Sequence, residues 1–378
     1  MKILLGMLLV ALAIPIRAWN HVSGEEELSR IVELEGRKVL VAFVKPDEPA
    51  SAALEEEWTK VEESVENDDE EDNPVIHSID CSSEGNICQL QQNMPDYFPS
   101  IWLLEKDKPL IEYLGARRAD AILNFINRQS RPVVTELNSE EELNLFKTID
   151  EVVFIAYLKA EDERGVFEDI ASKYSAEFTF GIYLGSTEDG KQGEVKVYKK
   201  LDGDVVTKKG GVGDIQQFED WVKEVSRGVM EELTSLNKDR LIERGSPIVY
   251  LFGETETQRQ KLRKTLYKFA RDLYDSITTV IVNPFDFPKL MGSLGLEPDK
   301  FPAGAVHWLS KDEIYPYPKE KAFTRENVQS WGMNIYKGII KAWNKKDGGE
   351  EAKTRKVATR KISGIPGVNI KIAGRDEL

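Results

Sequence analysis

Cysteine is nearly absent from this sequence, since Cys81 and Cys88 are the only two in 378 residues. So low a count excludes a disulfide-rich scaffold and a zinc site built from four thiolates. It also excludes dithiol exchange through a Cys-x-x-Cys pair, because no such motif is present. Two cysteines this close together favour a structural disulfide formed in an oxidising compartment. The alternative, a reactive dithiol, is disfavoured because the surrounding sequence offers no evident helix N-terminus or cation to lower a thiol pKa.

Histidine and net positive charge are also scarce. His21, His77 and His307 lie in three different sequence contexts, and Ser51 lacks a flanking nucleophile elbow, so a serine hydrolase is disfavoured. The chain has 51 Lys and Arg against 66 Asp and Glu, a net charge of −15. This balance argues against nucleic-acid binding, because phosphate contacts need clustered cations. No Asp-x-Asp-x-Asp-Gly calcium loop is present, and we predict neither a metal site nor a cofactor.

The longest apolar run is too short for an ordinary membrane span. Residues 3–16 are apolar and follow Lys2, but a span needs roughly 20 residues. We therefore predict a signal peptide over residues 1–18, cleaved after Ala18, and no membrane span after cleavage. The final tetrapeptide differs from the retention signal Lys-Asp-Glu-Leu only by arginine in place of lysine. Together these features predict a protein of the endoplasmic reticulum lumen that is held there by the retention receptor through Arg375, Asp376, Glu377 and Leu378.

One structural plan occurs three times along the chain. Each repeat alternates apolar strands with amphipathic helices, and the clearest strands are VLVAFV from residue 39, EVVFIAYL from residue 151 and PIVYLFG from residue 247. This alternation predicts an α/β fold in which a central mixed sheet is flanked by helices. Repeats of roughly a hundred residues have the size of single domains. The predicted segments are the signal peptide 1–18, three domains at 19–131, 132–227 and 228–343, and a tail at 344–378.

Two charged segments do not fit the repeated plan. Residues 62–72 carry eight acidic side chains. Such a density predicts a solvated loop, because so many like charges cannot be buried together. From Asn344 onward there are nine Lys and Arg against five Asp and Glu, without apolar periodicity. This composition predicts a flexible basic tail.

Several motifs of the first repeat resemble those of the protein disulfide isomerase family. Residues 41–46, Val-x-Phe-x-x-Pro, are similar to the strand and proline that precede the family's reactive cysteines. Phe98-Pro99-Ser100 resembles the loop that holds its cis-proline, here Pro99. Residues 113–120, Tyr-x-Gly-x-Arg-x-x-Asp, resemble the sequence before its closing helix and place Arg117 at a mobile arginine. The resemblance extends to Trp343 and implies three tandem thioredoxin-like domains in a–b–b′ order.

The same resemblance implies that the reactive cysteines are replaced. Glu48 and Ser51 stand at the positions of the family's two thiols, and Ala42 stands where the family has a buried, proton-relaying glutamate. Disulfide exchange requires a thiolate that attacks sulfur, and neither a carboxylate nor a hydroxyl replaces it. The Cys81 and Cys88 pair resembles a non-catalytic pair in the first domain of some fungal members. The resemblance therefore implies a protein that is not an enzyme, with a degenerate site at Glu48, Pro49, Ala50 and Ser51.

The third repeat is the predicted binding region. Residues 247–252 and 301–303 resemble the family's b′ domain, while the second repeat resembles its redox-inactive b domain. Family b′ domains bind unfolded proteins in an apolar pocket, so the resemblance implies binding of unfolded or nascent proteins, or of a partner folding enzyme. Alternatives are a calsequestrin-like, low-affinity calcium-binding protein and an adaptor that scaffolds another luminal enzyme. The candidate pocket residues, which could instead fill the core, are Phe252, Phe285, Phe287 and Leu290.

Overall fold

The structure is a computed structural model that describes Trp19, Cys88 and residues 38–68, 73–82, 97–158, 162–185 and 193–343. The predicted signal peptide and the tail with its retention tetrapeptide lie outside the described residues. Within those residues the strands form three sheets. No helix in this described part is long and apolar enough to cross a membrane.

The first sheet and its helices are built from six described elements. In chain order these are β1 (Val39–Val44), α1 (Pro49–Glu66), β2 (Val75–Asp80), β3 (Ser100–Leu104), β4 (Ile111–Tyr113) and α2 (Ala119–Gln129). The strand order is β2-β1-β3-β4, with β1 parallel to β2 and antiparallel to β3. The central strand β1 is therefore paired on both edges.

The second sheet has the order β5-β7-β6-β8-β9. Its elements are β5 (Val134–Leu137), α3 (Glu140–Phe146), β6 (Val152–Tyr157), α4 (Asp162–Tyr174), β7 (Thr179–Tyr183), β8 (Glu194–Lys199), β9 (Asp204–Lys209) and α5 (Ile215–Val225). The central strand β6 is parallel to β7 and antiparallel to β8, as β1 is to its own neighbours.

The third sheet has the order β10-β12-β11-β13-β14. Its elements are β10 (Glu231–Glu232), α6 (Lys238–Glu243), β11 (Ile248–Phe252), α7 (Glu256–Asp272), β12 (Thr278–Val282), α8 (Leu290–Ser293), β13 (Ala303–Trp308), a 3₁₀ turn (Leu309–Lys311), β14 (Glu313–Pro316) and α9 (Arg325–Tyr336). Again the central strand β11 is parallel to one neighbour and antiparallel to the other. The three sheets therefore share one topology, that of tandem thioredoxin-like domains.

Each central strand is a nearly uninterrupted apolar run because both of its faces are covered. In β1, Leu40 and Ala42 face one core cluster, while Val41 and Phe43 face a second cluster on the other side of the sheet. All four side chains are at most 1% exposed. Fully burying a Val, Leu or Phe side chain stabilises the fold by roughly 1.5–3 kcal/mol. The buried strands therefore hold the turns that follow them in place.

The described chain divides into two compact units. The first takes in the described residues up to Tyr113 together with Arg117–Ile126, and it contains the first sheet. The second takes in Leu114–Ala116 and the described residues from Asn127 onward, and it contains the second and third sheets. The domain boundaries at residues 131, 227 and 343 stay predictions.

Buried charges join the second sheet to the third. The Lys199 side chain is 5% exposed; its Nζ donates to the backbone oxygen of Arg227 at 3.1 Å and lies 3.7 Å from Asp202 Oδ2. The Arg227 guanidinium lies 3.5 Å from the centroid of the Tyr274 ring. Burial raises the pKa of Asp202, against the lowering effect of Lys199 and of a hydrogen bond from the Val229 N–H. Removing one member of such a buried set leaves another charge uncompensated, so this junction holds the two sheets together.

The predicted acidic loop is wrong at its start. Helix α1 continues to Glu66, and Glu62 is buried, at 8% exposed. Leu54, Trp58 and Val61 are buried on the same helix, and the helical period places residue 62 on that face. The acidic composition therefore did not prevent the helix, because only part of each turn faces the core. Residues 69–72 lie outside the described part.

The last described helix, α9, ends at Tyr336, seven residues before Trp343. Gly338 follows with a φ of 69°, a left-handed conformation that glycine adopts without steric cost. Its N–H donates to the Ile335 oxygen at 2.9 Å. The chain then runs to Trp343, whose N–H donates to the Ile314 oxygen of β14 at 2.7 Å.

Candidate functional site

The candidate site lies where β1 leaves the first sheet. After Val44 the chain turns, and the Glu48 N–H donates to the Lys45 oxygen at 2.8 Å. Helix α1 then begins at Pro49, where the missing N–H of proline costs nothing because the first helical N–H groups have no partner within the helix. The strand, the turn and the proline together fix the positions of residues 48–51.

The resemblance places Glu48 at the position of the family's attacking thiol. Its backbone is extended, with φ −86° and ψ 134°, and its side chain makes no capping hydrogen bond to α1. The carboxylate instead lies 3.4 Å from Lys45 Nζ, and the two side chains are 48% and 35% exposed. An exposed ion pair of this kind contributes about 0–1 kcal/mol. The position therefore presents a solvated carboxylate above an uncapped helix N-terminus.

The resemblance places Ser51 at the position of the family's second thiol, and in this structure the side chain has a structural role in the turn. The residue is 0% exposed. Its Oγ accepts a hydrogen bond from the Lys45 N–H at 3.0 Å, which ties the first turn of α1 to the end of β1. A covered hydroxyl that already bonds to the backbone cannot reach a substrate. Ala42, also 0% exposed, supplies no carboxyl group beneath it.

The loop opposite the turn contains the expected proline. The Phe98–Pro99 peptide bond is cis. Lys45 Nζ lies 4.7 Å from the centroid of the Phe98 ring, so one lysine contacts both Glu48 and this loop. Arg117 Nη2 donates to the Pro99 oxygen at 2.7 Å. The structure therefore brings together the turn, the proline and the arginine that the sequence motifs indicated.

Neither cysteine lies in this turn. Cys81 and Cys88 form a disulfide, with their Cα atoms 5.8 Å apart. Cys81 is 8% exposed and belongs to the core cluster on one face of β1. The chain contains no other cysteine, so both of its cysteine thiols are used in the disulfide. In the described part of the chain, no group of three or more His, Cys, Asp or Glu side chains is placed to hold a metal ion.

The pocket residues proposed from the third repeat separate into two pairs. Phe252 and Leu290 are 0% and 3% exposed and belong to a core cluster of the third sheet, so a client cannot reach them without opening the domain. Their prediction as client contacts is corrected on that ground. Phe285 and Phe287 are half-buried and stay candidates.

Sequence reasoning missed an exposed apolar strip at the end of α9. Met333, Tyr336 and Ile339 are 46%, 77% and 66% exposed. Val328, Trp331 and Ile335 form the buried stripe of the same helix. The signal was present in the sequence, because residues 333 and 336 are three apart and fall outside that stripe.

Comparison with known proteins shows which families, sequences and solved structures this chain is similar to. A family model described as a thioredoxin-like domain matches residues 157–334. A protein disulfide-isomerase of Aspergillus niger is 27% identical over 71% of this chain and 52% of its own length. One of Aspergillus oryzae is 26% identical over 82% of this chain and 62% of its own length. The chain thus spans about half to three fifths of these relatives. A crystal structure of human ERp44 overlaps 85% of this chain and 89% of its own, with 17% identity and a TM-score of 0.39.

Proposed function

We propose that this chain, a member of the protein disulfide isomerase family, binds unfolded or nascent proteins, or a partner folding enzyme, without exchanging disulfides. The observation that carries the proposal is that Glu48 and Ser51 stand in the turn where the resemblance expects two thiols, while the two cysteines of the chain are paired with each other. Exchange begins with attack by a thiolate. A carboxylate and a covered hydroxyl cannot begin it.

An isomerase assay on a substrate with scrambled disulfides tests the absence of exchange. We expect the full chain to give the uncatalysed rate. The matched variant Glu48→Cys with Ser51→Cys places two thiols on the same turn around Pro49 and Ala50, at the uncapped end of α1, where a thiolate is stabilised. This variant should exceed the wild type. Activity of the wild type that survives Cys81→Ala with Cys88→Ala would contradict the proposal, and activity lost in that variant would assign exchange to the disulfide.

An aggregation assay tests client binding. Light scattering of a denatured client without cysteines should fall when the full chain is added, because apolar surface on the third sheet's domain would cover apolar client segments. Phe285→Ser and Phe287→Ser should weaken this effect. Leu273→Ser, at a 37% exposed residue of the same domain, is the control. If no ratio of chain to client suppresses aggregation, client binding is contradicted. The proposal would then rest on binding of a partner folding enzyme, which a pull-down from luminal extract tests.

The calcium-binding alternative is tested by repeating the aggregation assay with added calcium and with chelator. We expect the same suppression in both. Suppression that requires calcium would favour the alternative.

We also propose the lumen of the endoplasmic reticulum as the location. The Cys81–Cys88 disulfide supports it, because disulfides form and persist in oxidising compartments and are rare in the cytosol. Protease protection of the chain inside intact microsomes is the measurement. Digestion without detergent would contradict a luminal location.

A further inference from the structure

Helix α7 is buried along one side only. Its buried side chains include Leu262 and Leu266, which belong to a core cluster on one face of the third sheet. With 3.6 residues per turn, positions 261, 264 and 268 fall on the opposite side of the helix. All three positions hold lysines, and all three residues are exposed. The outer side of α7 therefore presents a line of ammonium groups, which we call the lysine row: Lys261, Lys264 and Lys268.

The arginines of α7 have partners, and the lysine row has none in the part of the chain that the structure describes. Residues 257–271 carry six Lys and Arg and no Asp or Glu, in a chain whose net charge is −15. Arg259 donates to two backbone oxygens and Arg263 to a third. Arg271 donates to both carboxylate oxygens of Asp204. No described carboxylate forms an ion pair with the lysine row, so its charge is not neutralised within the described fold.

The carboxylates around α7 are engaged elsewhere or lie towards its ends. Glu256, the first residue of the helix, accepts hydrogen bonds from two side chains of α7 itself. Asp272, the last residue, accepts from Arg325 Nη2 at 2.7 Å. The exposed Glu254 precedes the helix, and the exposed Glu326 follows Arg325 on α9. The middle of the outer side of α7 is therefore positively charged.

The lysine row does not stabilise its own helix. Lys261 and Lys264 are three residues apart, and Lys264 and Lys268 are four apart. Like charges at these spacings are neighbours on the helix surface and destabilise it. Each ammonium group would gain from a nearby carboxylate, and α7 supplies none between residues 257 and 271. An anionic ligand bound along the row would relieve this repulsion.

The dimensions and the polarity of the row restrict that ligand. From residue 261 to residue 268 the helix rises by about 10 Å, so a ligand must carry several negative charges to engage all three lysines. The exposed residues between and beside them are polar and include Thr257, Gln260 and Thr265. Helices that lie on a membrane insert Trp, Phe or Leu into the lipid, and α7 exposes none of these between residues 257 and 271. A soluble ligand with several carboxylates fits better than a lipid surface.

We propose that the lysine row binds a run of consecutive acidic residues in a partner protein. Complementary charge on an exposed surface governs the association rate and the choice of partner more than the affinity, so the complex is weak and sensitive to salt. The row lies on the opposite face of the third sheet from Phe287, which packs against the cluster that contains Phe252. The proposal therefore does not rest on the proposed client binding.

The test uses the full chain and a fluorescent peptide of ten glutamates. Anisotropy at low ionic strength should show binding that weakens as salt rises, because exposed charges are screened. A matched peptide of ten glutamines should not bind. Combining Lys261→Ala, Lys264→Ala and Lys268→Ala should weaken binding about tenfold, since each exposed ion pair accounts for roughly 1.5- to fivefold. The control triple variant changes the net charge equally at exposed lysines elsewhere and should leave binding unchanged: Lys200→Ala, Lys209→Ala and Lys321→Ala.

Further measurements separate a binding effect from a folding effect. The triple variant of the lysine row should melt no lower than the wild type, because it removes like-charge pairs and alanine favours the helix. Lys264→Arg, which keeps the charge, should bind the glutamate peptide as the wild type does. Phe287→Ser should leave peptide binding unchanged even if it abolishes client protection.

Three outcomes would overturn the proposal. The first is equal weakening by the two triple variants, or no binding of the glutamate peptide at low salt. The second is binding of phosphatidylserine vesicles that requires the lysine row, which would replace the protein partner with a membrane. The third is self-association of the full chain in sedimentation that requires the row, which would assign it to acidic residues of a second copy.

Discussion

In the first sheet the chain leaves its central strand through Lys45-Pro46-Asp47-Glu48, and in the third sheet it leaves the equivalent strand through Gly253-Glu254-Thr255. Both turns lead into a long helix, α1 or α7, and both sheets have a cis proline before the antiparallel neighbour, at Phe98–Pro99 and Phe301–Pro302. The two turns nevertheless end in different ways. Thr255 Oγ1 accepts from the Gln258 N–H at 3.2 Å and caps α7, whereas the side chain of Glu48 does not cap α1.

The cations of the two turns differ as well. Arg259 of α7 is 5% exposed, and its Nη1 donates to the backbone oxygens of Gly253 and Glu254, each at 3.1 Å. Lys45 of the first turn is half-exposed and pairs with an exposed glutamate. The third sheet's turn is therefore closed by buried polar contacts. The first turn is held by the hydrogen bond from the Lys45 N–H to Ser51 Oγ, while the Glu48 side chain at its helix end stays exposed and caps no N–H group.

The largest expected effect comes from removing the buried cation. Arg259→Ala leaves two turn carbonyls without their donor and removes the cation 3.7 Å from buried Glu232. Breaking a buried pair in this way costs about 3–5 kcal/mol. Lys45→Ala, which removes the cation of the first turn, should change the free energy of unfolding by only about 0–1 kcal/mol. Urea denaturation of both variants is the measurement, and equal losses would contradict the contrast between the two turns.

A smaller effect is expected from the cap of α7. Thr255→Ala removes the oxygen that accepts from the Gln258 N–H and should lower the free energy of unfolding by about 1 kcal/mol. Thr265→Ala, on the exposed side of the same helix, is the control and should stay within about 0.5 kcal/mol. Thermal and urea unfolding of both variants measure the two changes in the free energy of unfolding. A loss for Thr265→Ala as large as for Thr255→Ala would mean that the lost cap does not account for the change, because alanine has the higher helix propensity.

The strand and helix plan could be predicted because β1, β6 and β11 are apolar runs covered on both faces. The edge strands β9 and β10 were not predicted, since one is half polar and the other has two residues. Edge strands commonly carry charge, which hides the strand pattern.

The site was predictable only in part. Its place in the chain followed from the proline motifs around residues 46 and 99. The closing contacts did not, because Ser51 with Lys45, or Arg117 with Pro99, meet only after folding. The burial of Phe252 could not be predicted from the sequence either, because an apolar residue is found in cores and in pockets alike.

The smallest expected effect sharpens the comparison by giving the first turn what the third already has. Glu48 has the extended backbone of an N-cap residue, and Glu48→Asp would bring a carboxylate within reach of the first N–H groups of α1. It should raise the free energy of unfolding by roughly 0.5–1 kcal/mol, while Glu48→Gln, the control, should give no gain. If Glu48→Asp is no more stable, the helix end is already satisfied and the two turns differ less than their geometry suggests. If it is more stable but protects clients less well, the open helix end contributes to binding, and its lack of a cap has a functional reason.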